Sequence, residues 1–264
     1  MMLSLKEELQ TFKFEAYVKL LKWLKKRYRI IPFSEATGKA DSFLILRHDI
    51  DASIKAALKM AEKEKLLGVR STYFVMFSNK LYNILERDNL QALRNLSALG
   101  HEIGLHYDVP TYEAYNRDLK ETLECEIVLL ERLSGCKVHS IACHNVSLIT
   151  GEDPFKNIKG YINVYSPRFH RSYVSDSCRA WYLKNLEELL SYKYKQVQLL
   201  IHPFLWTEEL CKLDDVLEVF FQEVEKENRD YKRSWLKLLK DAAKIRIRDG
   251  NKRYLNASES GPEN

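Results

Sequence analysis

Six polar residues stand where apolar runs end, and together they could build a metal or acid–base site. His48, Asp49 and Asp51 close the run FLILRHDI. Three further histidines close comparable runs: His106 after HEIGL, His144 after SIAC and His202 after QLLI. Imidazole nitrogen and carboxylate oxygen suit Zn²⁺ and its first-row neighbours. In an extended chain alternate residues point the same way, so Asp49 and Asp51 can serve one site jointly. One carboxylate would bind the metal and the other would accept a proton from a water. A dication would also relieve their mutual repulsion by stabilising both ionised forms. A histidine outside the metal shell could act as general acid. Alone, the DxD pair reads as a turn or helix N-cap, because Asp51 precedes a helix beginning near Ser53. A single strand-end histidine likewise reads as structural, and only the set points to a shared site.

Strand-like and helix-like segments alternate around these residues. FLILRHDI, VRSTYFVMF, GHEIGLHYD, KVHSIACHN, YINVYS and QVQLLIHPFLW read as strands. Helical spacing runs through SIKAALKMAEKEKLLG, closed by Gly68, through 79–99, through about 111–133 and through KNLEELLSY. Such alternation predicts parallel strands with crossover helices, and this length favours a barrel over an open sheet. The fold class expected is α/β, a distorted (β/α) barrel of parallel strands with extra N- and C-terminal helices. Neighbouring parallel strands would bring their polar ends to one face, where barrel enzymes carry their reactive side chains. One domain is expected over 1–250: an N-terminal helix at 4–28, the barrel at about 40–206, and C-terminal helices between 208 and 247. Residues 251–264 read as a disordered tail.

Composition narrows the function classes. The 264 residues carry 42 basic and 37 acidic side chains, a net charge of +5 too mild to argue for nucleic acid by itself. Basic residues are interleaved with acids along helices, and no nucleic-acid motif is present. No run approaches the ~20 apolar residues of a membrane span. The first 28 residues lack the apolar core and cleavage site of a secretory signal. Cys125, Cys136, Cys143, Cys178 and Cys211 are odd in number and form no CxxC pair, which reads as reduced thiols in the cytoplasm. The basic cluster KWLKKRYR ending the first helix offers a peripheral contact with an anionic membrane, against the plainer reading of lysines favoured near a helix C-terminus.

RHDID at 47–51, STYFV at 71–75, GHEIGLH at 100–106 and LLIHP at 199–203 together resemble the polysaccharide deacetylase family. These are the NodB-like carbohydrate esterases, and the match is to the branch with an RHDVD-type first motif. The motifs occur in the family's order across roughly 43–206. The resemblance implies a distorted (β/α) barrel, a divalent metal that is usually zinc, and hydrolytic removal of an acyl group from an amino sugar. By resemblance, Asp49 is the catalytic base, Asp51 and His106 bind metal, and His202 protonates the leaving amine. His101 is structural. The second histidine of the family's H-x-x-x-H motif would fall on Pro110, which cannot bind metal. His144 is the first replacement, Asp108 the second, and water the third.

RSYVSDSCRAW at 171–181 resembles a further segment of this branch. There Asp176 would orient a catalytic partner and Trp181 would line the sugar site, against a capping aspartate and a core tryptophan. Arg47 would contact an anionic substrate group or form a structural salt bridge, and Tyr107 and Asn145 would contribute hydrogen bonds to substrate. The function expected is metal-dependent N-deacylation of an amino sugar in a polysaccharide or its nucleotide- or lipid-linked precursor. The alternatives are a degenerate carbohydrate-binding member and a same-fold hydrolase of a non-sugar amide.

Overall fold

The run Phe43–Ile50 is buried along its whole length, as a central strand of a parallel sheet must be when both faces are covered. The computed structural model describes residues 2–36, 42–115, 118–146, 149, 152–209 and 212–259, with the side chains of its last helix to residue 245. The chain divides into two compact units, 1–210 and 211–264.

In the first unit the strands are β1 (Arg29–Ile31), β2 (Phe43–Ile50), β3 (Thr72–Val75), β4 (Glu102–Tyr107), β5 (Ser140–Cys143), β6 (Ile162–Asn163), β7 (Tyr173–Ser175) and β8 (Gln196–Ile201). They form one parallel sheet in the order β6-β5-β4-β3-β2-β8-β7, with β1 pairing the first half of β2. Helices α3 (Ile54–Leu66), α4 (Arg87–Ala98), α6 (Leu119–Ser134) and α8 (Leu183–Leu190) supply crossovers, and the single turn α7 (Pro167–His170) lies between β6 and β7. The sheet is curled and wrapped by helices, a distorted (β/α) barrel whose path ends at β6 and β7. Inward side chains of β2, β3 and β5, namely Phe43, Ile45, Phe74 and Ala142, make a small inner core with Phe33 and Val164. The outward face carries the larger core, including Ile50, Tyr73, Val75, Ile103, Leu105 and Ile141 under α3, α4 and α6.

Local signals explain several boundaries. Ser53 caps α3 by accepting from the Ala56 N–H at 3.1 Å, so Asp51 is not the cap. Gly68, at φ +62°, follows the end of that helix in the left-handed region that glycine tolerates best. Gly104 in β4 is required by close approach: a Cβ there would overlap the Phe74 ring and stand 3.0 Å from the Ser140 carbonyl oxygen.

Four helical expectations are corrected. The first helix is broken into α1 (Met2–Leu9) and α2 (Phe14–Leu24), because Phe12 takes φ +53° and its carbonyl accepts from the Thr207 N–H. Its apolar stripe of Leu5, Leu9, Phe12, Tyr17, Leu20, Leu21 and Leu24 is nonetheless buried throughout. The stretch expected at 111–133 is divided between α5 (Val109–Ala114) and α6, which restarts at Asp118, whose side chain accepts from the Glu121 N–H. Only Arg87–Ala98 of the stretch 79–99 is helical, because the Asn79 and Asn83 side chains cap turns ahead of it. In the second unit one helix, α9 (Leu213–Glu259), replaces two expected helices and reaches into the stretch expected to be a tail; residues 260–264 lie outside the described residues.

Candidate metal and acid–base site

Parallel register brings the strand ends together. β2 delivers Asp49 and, just beyond its end, Asp51; β4 delivers His106. His144 follows β5, Asp176 follows β7 and His202 follows β8. Side-chain alternation sorts these residues into two faces. Arg47, Asp49 and His106 point into the barrel, whereas His48 and Tyr107 point out toward the helices.

Asp51, His106 and His144 offer ligand atoms all within 4.8 Å of one another. The Asp51 Oδ1 lies 3.3 Å from His106 Nε2 and 3.7 Å from His144 Nδ1, and His144 Nδ1 lies 3.2 Å from His106 Nε2. His106 Nδ1 sits 2.9 Å from the Ala142 carbonyl oxygen, which must accept, so Nδ1 carries the proton and Nε2 faces the cluster. That second bond fixes ring and tautomer in the way metal-binding histidines require. Asp51 Oδ1 is buried with only the ring nitrogens of His106 and His144 beside it, and a carboxylate oxygen so placed is costly unless a cation meets it. The donor set of two imidazoles and one carboxylate therefore fits a zinc-like dication.

Asp49 stands beside this trio. Arg47 grips it with both arms, Nε to Oδ1 at 2.8 Å and Nη2 to Oδ2 at 2.7 Å, and Asp49 Oδ2 is 3.6 Å from His106 Nε2. Burial pushes the Asp49 carboxyl up, but Arg47 and then His106 more than offset it, so it stays below its ordinary range. Asp51 is also pushed up by burial and held far lower by His106, His202 and His144. Burial lowers His106, yet the Asp49 and Asp51 carboxylates outweigh it and hold the imidazole above its usual value. His144 is lowered, first by burial and then by His106.

The fourth histidine is set differently. His202 Nδ1 lies 2.6 Å from Asp176 Oδ1, leaving Nε2 directed to the cluster, 3.6 Å from Asp51 Oδ2. Asp176 is fully buried and also accepts from the His202 backbone N–H and, at 2.8 Å, from the Trp206 indole. Burial lowers His202, but Asp176, joined by Asp51 and Asp49, more than offsets it and raises it to about 9. The imidazole is held as a cation over the neutral range, with one N–H turned toward the metal-binding residues.

Asp49, Asp51, His106, His144 and His202 are thus brought together. Asn145 is exposed, with its amide 2.7 Å from His144 Nε2. Three residues given substrate contacts in the sequence, Arg47, Tyr107 and Trp181, are placed elsewhere. Arg47 is wholly buried and bonds Asp49, Gln198 and Tyr165, which makes it the structural ion pair and removes it from substrate. Tyr107 points outward and donates to Asp153, because alternation turns it from His106. Asp176 is sealed behind His202, as an orienting group would be. Trp181 is the core tryptophan, donating to the Leu9 carbonyl and stacked on Phe12. Asp108 accepts from Thr111 at the start of α5, and Pro110 occupies the first turn of that helix, where a missing N–H costs nothing.

His48 lies on the opposite face, 2.7 Å from Glu64 Oε1, in a buried group where Glu64 also accepts from Tyr17 and Ser71. His101 belongs to the same group, with Nδ1 3.0 Å from Ser71 Oγ. Sequence reasoning missed Glu64, Gln198 and Trp206. Glu64 lies on the buried stripe of α3 with Ala57, Met60 and Ala61, a charged residue at a core position and therefore a legible signal. A basic-rimmed cavity lined by Phe43, Phe169, Arg171, Lys195 and Gln196 opens at the other end of β2 and β8, away from these groups.

No family model matches the chain, and no curated protein does. Among solved structures it is similar to a CE4 family pseudoenzyme from Bacillus anthracis, with TM-score 0.44 and 13% identity over 72% of this chain and 63% of that one. It is also similar to a polysaccharide deacetylase from Bacillus cereus, with TM-score 0.40 and 12% identity over 71% of this chain and 89% of that one. A chitin deacetylase from Colletotrichum lindemuthianum gives TM-score 0.42 and 17% identity over 74% and 86%. The match spans just under two thirds of the Bacillus anthracis chain.

Proposed function

We propose that the protein is a metal-dependent hydrolase that removes an N-acyl group, acetyl in the simplest case, from an amino sugar. The observation that carries this reading is the convergence of Asp51, His106 and His144 beside a second carboxylate and a cationic histidine. Those three residues would hold the ion, zinc being the fit to their donors. A dication held there lowers the pKa of a water and polarises an acyl carbonyl. Asp49, kept ionised by Arg47, accepts the proton of the attacking water. His202, kept cationic by Asp176, donates from Nε2 to the departing amine nitrogen. The two groups thus sit in opposite protonation states near pH 7, as an acid–base pair needs.

The sequence motifs, rather than any pocket residue, support an amino-sugar substrate in a polysaccharide or in its nucleotide- or lipid-linked precursor. Among the described residues Cys125, Cys136, Cys143 and Cys178 are unpaired thiols, which supports a reducing, cytoplasmic setting. Among the described residues no helix is long and apolar enough to cross a membrane. Peripheral membrane contact would fall to the exposed Lys25, Lys26 and Arg27, since the apolar stripe of α2 is buried.

The test is metal analysis with paired variants. One zinc per chain is expected, with acetate release from N-acetylglucosamine oligomers. Asp51→Asn should lose both, and Asp49→Asn should lose turnover while keeping the metal. A wild-type chain that takes up no metal and gains no thermal stability from Zn²⁺ overturns the proposal in favour of a non-catalytic carbohydrate-binding module.

A further inference from the structure

The second unit carries a pattern that the deacylase reading does not use. Helix α9 runs for 47 residues, about 70 Å at 1.5 Å per residue. Large apolar side chains remain exposed along it, among them Phe221 at 47%, Tyr231 at 68%, Trp235 at 52%, Leu238 at 62% and Ile245 at 52%. A helix surface has no reason to keep its aromatic residues in water.

Their spacing says what covers them. Leu217, Phe221, Val224, Asn228, Tyr231, Trp235, Leu238, Ala242 and Ile245 follow one another at alternating steps of four and three. That is an unbroken heptad repeat over four heptads, with Phe221, Asn228, Trp235 and Ala242 at a and Leu217, Val224, Tyr231, Leu238 and Ile245 at d. A period of 3.5 rather than 3.6 is the signature of a supercoiled seam rather than of a helix laid on a globular surface. The one polar member, Asn228, stands at a near the middle. A single asparagine at a pairs with its own copy and fixes a parallel, in-register dimer. The flanks agree. In a parallel dimer Glu227 at g faces Lys232 at e of the other copy, and neither neighbouring pairing, Phe220 with Glu225 or Ser234 with Leu239, sets like charges together. Off the seam, Arg229 pairs with Glu225 at 3.2 Å and Arg233 with Asp230 at 3.3 Å, so the outer face is mostly a solvated mixture of both signs, with Val219 and Leu236 its exposed apolar exceptions. Such a mixture does not suit an anionic lipid surface.

We propose that α9 is a dimerisation helix whose partner is α9 of a second copy of this chain, in a parallel two-stranded coiled coil with Asn228 facing Asn228. The deacylase reading could fail without touching this inference.

Sedimentation equilibrium of the 264-residue chain tests it. The wild type is expected at twice the chain mass, and the double variant Tyr231→Glu with Leu238→Glu at the single mass with an unchanged thermal transition of the barrel. Lys226→Glu with Lys240→Glu, on the outer f positions, keeps the dimer and controls for added acidity. Asn228→Cys should form a disulfide-linked dimer on mild oxidation, beyond whatever the wild type forms, and Lys226→Cys should not. A wild type that stays single at tens of micromolar overturns the proposal, as does a dimer that survives the 231/238 variant. A trimer, or a helix that binds anionic phospholipid vesicles as a monomer, overturns it too.

Discussion

Replacing Asp176 by Asn removes the largest of the three carboxylate charges that hold His202 cationic, Asp51 and Asp49 being the others, while keeping the shape of the side chain. In the metal-free protein His202 is raised from 6.5 to about 9, and Asp176 is the largest contribution raising it against burial. At pH 8 a group with that value is about nine-tenths protonated, whereas one at the ordinary 6.5 is about 3% protonated, so the loss of acid form is bounded at roughly thirty-fold, Asp51 and Asp49 still raising the ring in the variant. The same shift sets stability. A histidine raised on folding contributes fully below its unfolded value and loses that contribution as pH rises through about 9. A shift of this size corresponds to about 3 kcal/mol, so Asp176→Asn should destabilise by that order at pH 6 and by clearly less at pH 10. Long-range ¹H–¹⁵N NMR of the imidazole nitrogens after chelation reads the titration directly, and urea unfolding at the two pH values reads the linkage. Deacylation should fall much more at pH 8 than at pH 6, while zinc uptake by Asp51, His106 and His144 persists. A His202 that still titrates near 9 in the variant, or an equal destabilisation at both pH values, refutes the reasoning.

Other expectations concern single side chains. His144→Ala should weaken zinc binding by at least ~100-fold, beyond the 10–100-fold cost of losing an orienting partner, whereas Asp108→Ala should leave a zinc titration unchanged. Gly104→Ala should cost about 1–3 kcal/mol in urea unfolding, since the new Cβ would overlap the Phe74 ring. Burial raises Glu126 on α6 to about 7, so its contribution is present below its unfolded value of 4.5 and is lost as pH rises through 7. Glu126→Gln should therefore stabilise the protein at pH 8, by at most about 3 kcal/mol and by less where solvent reaches this half-buried group, and by much less at pH 4, measured by thermal unfolding.

The amino-acid sequence determined which strands exist at the centre and what chemistry stands at their ends. Period and burial agree along FLILRHDI, GHEIGLH and QLLIH, so their direction and their terminal histidines and aspartates follow from local pattern. Alternation alone turned His48 away from Asp49, and the structure has it against Glu64. The short edge strands Arg29–Ile31 and Tyr173–Ser175 were not legible, because three residues carry too little periodicity to stand apart from loop. The break at Phe12 was equally hidden, since the apolar stripe continues across it and only the bond from Thr207, far along the chain, bends the backbone.

Selection among equivalent residues was a tertiary matter. His144 and Asp108 were both open as substitutes for the missing histidine at Pro110, and nothing local separates them. Pairing of β4 with β5 puts His144 at 3.2 Å from His106, while the start of α5 engages Asp108 with Thr111. Arg47 was likewise free to face substrate until burial closed it over Asp49. Local pattern fixes which side chains leave a strand end on the same face. Which of them meet depends on strand order and register, and those are set by contacts between residues distant in the chain.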